Sequence, residues 1–521
     1  MKDSRNVLKP GSAAGHAGDS GPEAGGGAAL SVLRVASFTC GACVMVIEMV
    51  GSRVVAPYMG TSLVVWTALI GIIMASLALG YWLGGVVSDK RPRISLLSRV
   101  IAAAALLTAC MAVVSDPLLQ VIARVLRNPY AGSVVGSLCL FAAPSLLLGM
   151  VSPFIVRLAM RNVRSAGSAV GSFSALSSAG SIVGTFLGGF VLIAFLSSQT
   201  ILLLTAAVLG AVALMLYRSG WRAFVPVIVA AAALGILSEE GVTLMRSDDT
   251  VRIETQYNTI RIFDRVDFNT NREIRILQTD PMGAQSLMYM DAPNELYSNY
   301  TRFYDLAFHF KPDARRVLML GGGGYCVPKR LAETRPDVSL DVVELDPGIT
   351  RAARDYFHLE DRPGQRIFHE DARMFLNREA AKGELQYDAI FEDVYGSSYN
   401  IPFHMTTVEC MARIRELIAP DGVFIVNIIS AISGELFGGI YASIASAFPS
   451  VMIFPASYPN SANARQNVMI IAMASDTIPE RSPADEYIAR LLRHRWTVPY
   501  EPNADAFTDA FAPVERYAPR L

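Results

Sequence analysis

With 521 residues, a mean hydropathy of +0.36, and 52% hydrophobic against 17% charged residues, the chain is too apolar for one ordinary soluble domain. Lys plus Arg number 45 against 46 for Asp plus Glu, so no charge excess argues for a nucleic-acid partner. The six cysteines, at 40, 43, 110, 139, 326 and 410, are too scattered for the disulfide framework of a small secreted protein.

Residues 1–29 are mostly Gly, Ala and Ser, have little apolar surface to bury and read as a disordered tail. No apolar run follows Lys2, Arg5 and Lys9 until position 30, so the layout of a cleavable signal peptide is missing. The first hydrophobic segment is expected to stay as a helix.

Residues 30–238 read as a transmembrane helical bundle. Apolar runs of spanning length lie near 31–51, 64–87, 96–115, 132–156, 168–194, 199–217 and 222–238, seven in all, the last being the shortest. Small residues recur in GSFSALSSAGSIVGTFLGG, Gly171 to Gly189, where they let helix backbones approach closely in lipid. Glu48 and Arg53 are costly near a span end unless paired, and structural pairing at the interface is the expectation. Cys40-Gly-Ala-Cys43 has redox-motif spacing but lies in an apolar helix, where packing is expected.

Orientation carries a conflict. The basic stretches Lys90 to Arg93, Arg157 to Arg164 and Arg218 to Arg222 belong on the cytoplasmic side by the positive-inside rule, which puts the exit of a seventh span on the far side. Either the span count is off by one, or the amphipathic stretch Pro117 to Arg127 changes the parity, or the C-terminal half is external; a cofactor made in the cytosol argues for the cytoplasm, and the expectation is a multi-pass cell-membrane protein with its C-terminal half there.

After Glu239 the sequence becomes mixed and charged. Val251 to Phe263 and Arg272 to Asp280 alternate at period two, and Gln285 to Asp291 adds a third strand, which predicts a small antiparallel β subdomain over 250–295. A helix is predicted over 297–309. Short apolar strands then follow at 316–321, 339–346, 366–371, 387–393, 422–428, 451–456 and 467–475, separated by helix-length connections. That pattern predicts a mostly parallel, doubly wound α/β domain over 296–521, with ligands at the carboxyl ends of its strands.

Four features gather at that edge. Gly321 to Gly324 follow the first strand and let backbone approach a ligand. Glu344 ends the second strand at the spacing of a carboxylate that takes ribose hydroxyls. Asp371, with Ala372 behind it, ends the third strand, where a carboxylate can accept from an adenine amine. Asp393 ends the fourth, where the reacting atoms are expected. Each acid taken singly also reads as a helix cap, whereas their order on consecutive strands favours a nucleoside site. Cys326 stands where a dinucleotide fingerprint has its third glycine, which disfavours NAD and favours an S-adenosyl ligand.

These residues resemble the spermidine synthase family of aminopropyltransferases over about 250–515, and the preceding bundle resembles a multi-pass membrane-fused branch of it. Phe507 to Glu515 is similar to the family's C-terminal Thr-Asp…Ala-Pro-Val-Glu signature. The resemblance implies a methyltransferase-type Rossmann-like domain after a small β subdomain. It implies cofactor contacts from Gln285, Gly321, Gly322, Gly323, Glu344, Asp371 and Ala372, and Asp393 as the catalytic base. It further implies decarboxylated S-adenosylmethionine or S-adenosylmethionine as co-substrate, no metal, an amine acceptor, and the lipid bilayer as partner, with a homo-oligomer left open.

Two departures weaken the diamine pocket. The family's Gly-Gly-Gly-Asp-Gly-Gly reads Gly321-Gly322-Gly323-Gly324-Tyr325-Cys326, and its Asp-Ser-x-Asp-Pro reads Asp393-Val394-Tyr395-Gly396-Ser397. Loss of the acid at 324 removes repulsion toward a carboxylate. The default reading, set by the family, is aminopropyl transfer to an amine, while the lost acids favour the alternatives. The alternatives are chemistry on intact S-adenosylmethionine (lyase or cyclising cleavage, aminocarboxypropyl or methyl transfer, including to a lipid) and a noncatalytic S-adenosyl sensor. Glu392 is expected to point away from Asp393 by strand alternation, Tyr395 and Tyr399 to line a pocket or pack a loop, and His404 to begin a helix.

Overall fold

A computed structural model describes residues 26–59, 63–126, 128–160, 166–217, 250–279, 283–383, 386–396, 401–457 and 461–517. The N-terminal half is helical: α1 Gly26–Met59, α2 Leu63–Lys90, α3 Ile94–Val125, α4 Pro129–Ala159, α5 Ala166–Phe186 and α6 Ser198–Leu216. A π-helical turn, Leu187–Leu192, and the short helix Ile193–Phe195 extend α5. Among the described residues, six helices are long and apolar enough to cross a membrane. The first helix starts at Gly26, inside the segment read as a tail. The 222–238 span and residues 1–25 lie outside the described residues.

Local chemistry sets the helix starts. Asn128 accepts from the Tyr130 and Ala131 amides at 2.9 and 3.4 Å, with Pro129 in the first turn, and the Ser197 hydroxyl accepts from Thr200 N–H at 3.2 Å. The third helix runs past its predicted end at 115, so that Pro117 and the amphipathic residues after it continue the same helix.

The glycine-rich face of α5 packs on α1. A methyl placed on Gly180 would overlap the Phe38 carbonyl, and one on Gly184 the Ala42 carbonyl, so these glycines serve close helix contact as expected. Cys40 and Cys43 are buried free thiols.

The C-terminal half begins with a four-stranded antiparallel sheet, β1 Val251–Glu254, β2 Thr259–Val266, β3 Glu273–Gln278 and β4 Ser286–Tyr289, in that spatial order. The run 251–263 is thus a hairpin rather than one strand; residues Thr255 to Asn258 turn it, with Thr255 Oγ1 accepting from the Tyr257 and Asn258 amides. The predicted 297–309 helix is a 3-10 helix, Asn299–Leu306, running into the α-helical turn Ala307–Phe310.

Seven strands follow: β5 Arg316–Leu320, β6 Ser339–Val343, β7 Gln365–Phe368, β8 Tyr387–Glu392, β9 Ile418–Ser430, β10 Ser450–Pro455 and β11 Gln466–Met473. Their order is β10-β11-β9-β8-β5-β6-β7, with β11 antiparallel to both neighbours and the remaining pairs parallel. The order reverses beside β5, which is where a doubly wound sheet opens its ligand crevice. This is the parallel-rich α/β arrangement of methyltransferase-type domains. Apolar clusters fill both faces, one including Met319, Val342 and Phe391 and the other Leu318, Val343 and Ile390.

The two halves meet through a polar seam at one end of the bundle. Arg53 of α1 donates to the carbonyls of Ile193 and Thr255 and lies 3.6 Å from Glu254. Glu254 accepts from the Ser198 amide at 2.8 Å and pairs with Arg252 at 3.1 Å. Arg252 also pairs with Asp116 of α3, which accepts from Tyr58 at 2.8 Å. Arg53 therefore finds its acid in the C-terminal half.

Candidate nucleoside and transfer site

The loop after β5 is shaped by close backbone contacts. Gly321 has φ +92°, and a methyl there would overlap the Asp393 carbonyl. A methyl on Gly322 would stand 2.7 Å from the Tyr325 ring. Gly323 has φ +50°, in the left-handed region where glycine carries no steric penalty.

Tyr325 itself has φ 55°, an unusual conformation for an aromatic residue. Its ring is fully buried under the loop and its hydroxyl lies 2.7 Å from Thr350 Oγ1. The Gly-Tyr-Cys ending thus plugs the base of the loop with an aromatic ring, and Cys326 opens the following helix, Cys326–Thr334.

Glu344 holds this loop from the end of β6. Its Oε2 accepts from the Gly322 and Gly323 amides at 2.9 and 3.3 Å, and its Oε1 accepts from the Asp346 amide at 2.9 Å. Burial pushes its carboxyl above the usual range, opposed by those backbone donors. Two carboxylate oxygens have about four acceptor directions, so three amide bonds leave capacity for a hydroxyl.

Asp346 in turn caps the helix Pro347–Tyr356 through Gly348 N–H at 2.8 Å, and accepts from Thr255 Oγ1 at 2.6 Å and Asn258 Nδ2 at 3.0 Å. The β1–β2 turn is therefore fastened to Asp346, two residues after the candidate ribose ligand.

Asp371 is the N-cap of the helix Ala372–Lys382: Oδ1 accepts from Met374 N–H at 3.1 Å. Its Oδ2 lies 3.2 Å from His404 Nε2, a contact that holds its pKa below the usual carboxylate value. The capping role is thus realised, and any adenine contact would share Oδ2 with the imidazole. Ala372 is buried behind it. His404 lies in a 3-10 turn, Phe403–Met405.

Asp393 follows β8. Tyr300 donates to its Oδ2 at 2.9 Å and Asn427 Nδ2 to its Oδ1 at 2.9 Å. Asn427 Oδ1 accepts from Asn467 Nδ2 at 3.0 Å, which fixes the direction of the chain. Burial raises the Asp393 pKa to about 6, partly offset by the Asn427 and Tyr300 bonds. A carboxyl with such a value is ionised at neutral pH and still basic enough to take a proton.

Glu392 points to the opposite face, as alternation predicts. It is buried among Ile401, Met405, Met411 and Ile440, its Oε2 has no hydrogen-bond partner, and burial raises its pKa to about 8. Tyr395 is a packing residue: its hydroxyl donates to the Asn427 carbonyl at 3.1 Å and accepts from the Ile429 amide at 2.8 Å. Tyr399 lies outside the described residues.

Gln285 precedes β4, whose Ser286 Oγ accepts from the Gly324 amide at 2.7 Å. The β subdomain therefore touches the glycine loop. Gln285 Oε1 is buried with no hydrogen-bond partner, a cost of about 1–3 kcal/mol that a donor on a bound ligand would relieve. A side chain at position 324 would have to displace Ser286, because a methyl there would stand 2.7 Å from Ser286 Cβ and 3.1 Å from the Phe357 ring.

Sequence reasoning missed Tyr300, Ser286, Asn427 and Asn467. Asn427 was the findable one: it is the single polar side chain in the run Gly422 to Ile428 on a central strand. The C-terminal signature proves structural: Asp509 pairs with Arg373 at 2.8 Å and accepts from Thr407 Oγ1 at 2.7 Å, pinning the segment after β8.

No family model matches the chain. Over 193 residues it is 31% identical to a polyamine aminopropyltransferase of Vibrio vulnificus, covering 37% of this chain and 62% of that protein. Over 167 residues it is 31% identical to a probable polyamine aminopropyl transferase of Bifidobacterium longum, covering 31% and 36%. Over these stretches the chain is similar in sequence to polyamine aminopropyltransferases. The chain spans less than two thirds of the length of these two curated relatives. Among solved structures, a probable spermidine synthase from Corynebacterium glutamicum aligns at 22% identity and a TM-score of 0.41, over 50% of this chain and 97% of that one.

Proposed function

We propose that the protein is a membrane-anchored transferase of the aminopropyltransferase type, acting on an S-adenosyl sulfonium. The observation that carries the reading is Asp393: an ionised carboxylate fixed by Tyr300 and Asn427, with its backbone against Gly321. The orphaned Gln285 Oε1 supports a polar ligand at the same loop. Glu344 would take the ribose hydroxyls, while Gly321, Gly322 and Gly323 leave room for the sulfonium nucleoside. Asp371 and Ala372 would border the adenine.

An alkylammonium acceptor has no lone pair until Asp393 takes its proton. The freed amine then attacks the carbon next to the sulfonium. The carbon–sulfur bond breaks, its electron pair stays on sulfur, and a neutral thioether, methylthioadenosine, leaves without a general acid. The partners are a small amine acceptor and the lipid bilayer, in which the six apolar helices would anchor the domain.

A second reading, chemistry on intact S-adenosylmethionine, is favoured by the packing at Gly324. Position 324 carries no acid, and a side chain there would have to displace Ser286, so a substrate carboxylate meets no acid at that position.

Purified full-length protein, given either sulfonium with and without putrescine, tests both. Methylthioadenosine and spermidine formed together from the decarboxylated compound support transfer. Methylthioadenosine from intact S-adenosylmethionine without acceptor supports the second reading and rejects the first.

A further inference from the structure

We infer that the nucleoside cleft faces the extracytoplasmic side of the membrane, the reverse of what the origin of an S-adenosyl compound suggests. The inference rests on the membrane-spanning reading of the six helices, and it comes from which end of the bundle carries the C-terminal half.

Every seam residue belongs to one end. Arg53 and Tyr58 lie near the C-terminus of α1, Asp116 in the C-terminal third of α3, Ile193 just after α5, and Ser198 at the start of α6. The opposite end is marked by its own contacts. Asp89 of α2 pairs with Arg157 of α4 at 3.1 Å, and Ser98 near the start of α3 donates to the Ala213 carbonyl near the end of α6 at 2.8 Å. The helices alternate in direction, with α1, α3 and α5 ending at the seam.

The short connections at the two ends differ in charge. Away from the seam, the α2–α3 connection carries Lys90, Arg91 and Arg93, the α4 end and α4–α5 connection carry Arg157, Arg161 and Arg164, and Arg218 and Arg222 follow α6. At the seam end, the 60–62 connection (Gly60-Thr61-Ser62) and the α5–α6 connection (Leu196-Ser197) have no basic residue; only Arg124 and Arg127 border the α3–α4 connection. Short loops rich in Lys and Arg stay in the cytoplasm. The seam, and with it β1, Asp346 and the glycine loop, then lies on the other side.

In the described residues α6 ends on the basic side and β1 begins at the seam, and the sequence between them holds the apolar run 222–238. A permanently charged sulfonium nucleoside does not diffuse through hydrocarbon. A transport step that delivers this cation, or its release outside the cell, must therefore precede the reaction.

Phe268, in the β2–β3 turn, is 99% exposed and distant from the seam. Full-length protein with Phe268→Cys in a Cys139→Ser background is expressed, and intact cells are treated with a membrane-impermeant maleimide. Labelling of intact cells at the level seen after lysis, above that of the Phe268-containing parent, is expected. Labelling only after lysis overturns the inference. Release of the full chain from membranes by alkaline carbonate overturns the membrane reading itself, and so separates the two failures.

Discussion

The two flanks of the cleft are held by different kinds of contact. On the nucleoside flank, Glu344, the glycine loop and Ser286 form a continuous set of hydrogen bonds, and Gln285 has an acceptor to spare. On the acceptor flank, Asp393 keeps two donors, while the acids that resemblance leads one to expect are Gly324 and Gly396. The glycine-loop flank is held by backbone packed against backbone and amide hydrogen bonds, the Asp393 flank by side chains at a loop mouth. On the proposed reading, the electrophile is more firmly specified than its nucleophile.

The largest effect that would break this contrast is at Asp393. In Asp393→Asn, turnover of whichever sulfonium is used falls by about 10³-fold, while the dissociation constant for methylthioadenosine, read by calorimetry, stays within a factor of about three. In the unsubstituted protein, a carboxyl with pKa about 6 is protonated below that pH and cannot act as base. The kcat/KM profile should therefore fall tenfold per pH unit below about 6 and level off above it. A flat profile from pH 5 to 8 removes Asp393 from proton transfer.

Next in size is Gly322→Ala. A methyl 2.7 Å from the Tyr325 ring must displace either a fully buried side chain or the loop, an overpacking cost of about 1–3 kcal/mol. The loss should appear as methylthioadenosine binding weakened by about five- to 150-fold. Unchanged binding would show that the loop does not border the nucleoside.

The α/β strand pattern, the glycine loop and the three acids that follow strands were legible because each follows from a local rule. Apolar runs of strand length announce β5 to β8, and acids at strand ends stand out against them. What stayed hidden depends on contacts between distant segments. Tyr300 reaches Asp393 from a 3-10 helix 93 residues away in sequence, and nothing in Asn299 to Leu306 singles it out. Asp371 looked like an adenine ligand from its position alone, whereas its second oxygen is shared with His404, which only the fold of the 401–407 segment could reveal. The capping and binding roles of such an acid are the same in sequence.

A smaller effect sharpens the comparison on the reverse face of β8. Glu392 has a raised pKa of about 8 against about 4.3 for an unperturbed glutamate. The folded state therefore binds more protons than the unfolded state between these values. Its contribution to stability is present in full below about pH 4.3 and is lost as pH rises through about 8. Glu392→Gln should remove that decline, raising the thermal midpoint at pH 8 by a few degrees, about the shift a change of 1 kcal/mol gives a domain of this size. A midpoint difference independent of pH would mean that Glu392 acts through packing rather than charge.

The smallest effect asks whether the bundle end helps to hold the nucleoside flank. Arg53 grips the Thr255 carbonyl, and the Thr255 hydroxyl donates to Asp346, whose amide donates to Glu344. Thr255→Val keeps the shape and removes the hydroxyl, a hydrogen bond worth about 1 kcal/mol. If the chain of contacts positions Glu344, methylthioadenosine binding weakens by about fivefold, and amide exchange of Gly322 and Gly323 quickens in the ligand-free protein. A purely local role would speed exchange at Tyr257 and Asn258, whose amides also bond that hydroxyl, and leave the glycine loop unchanged. Exchange confined to the turn would therefore sever the bundle from the site, and exchange spreading to Gly322 would make the end of α1 part of the binding machinery.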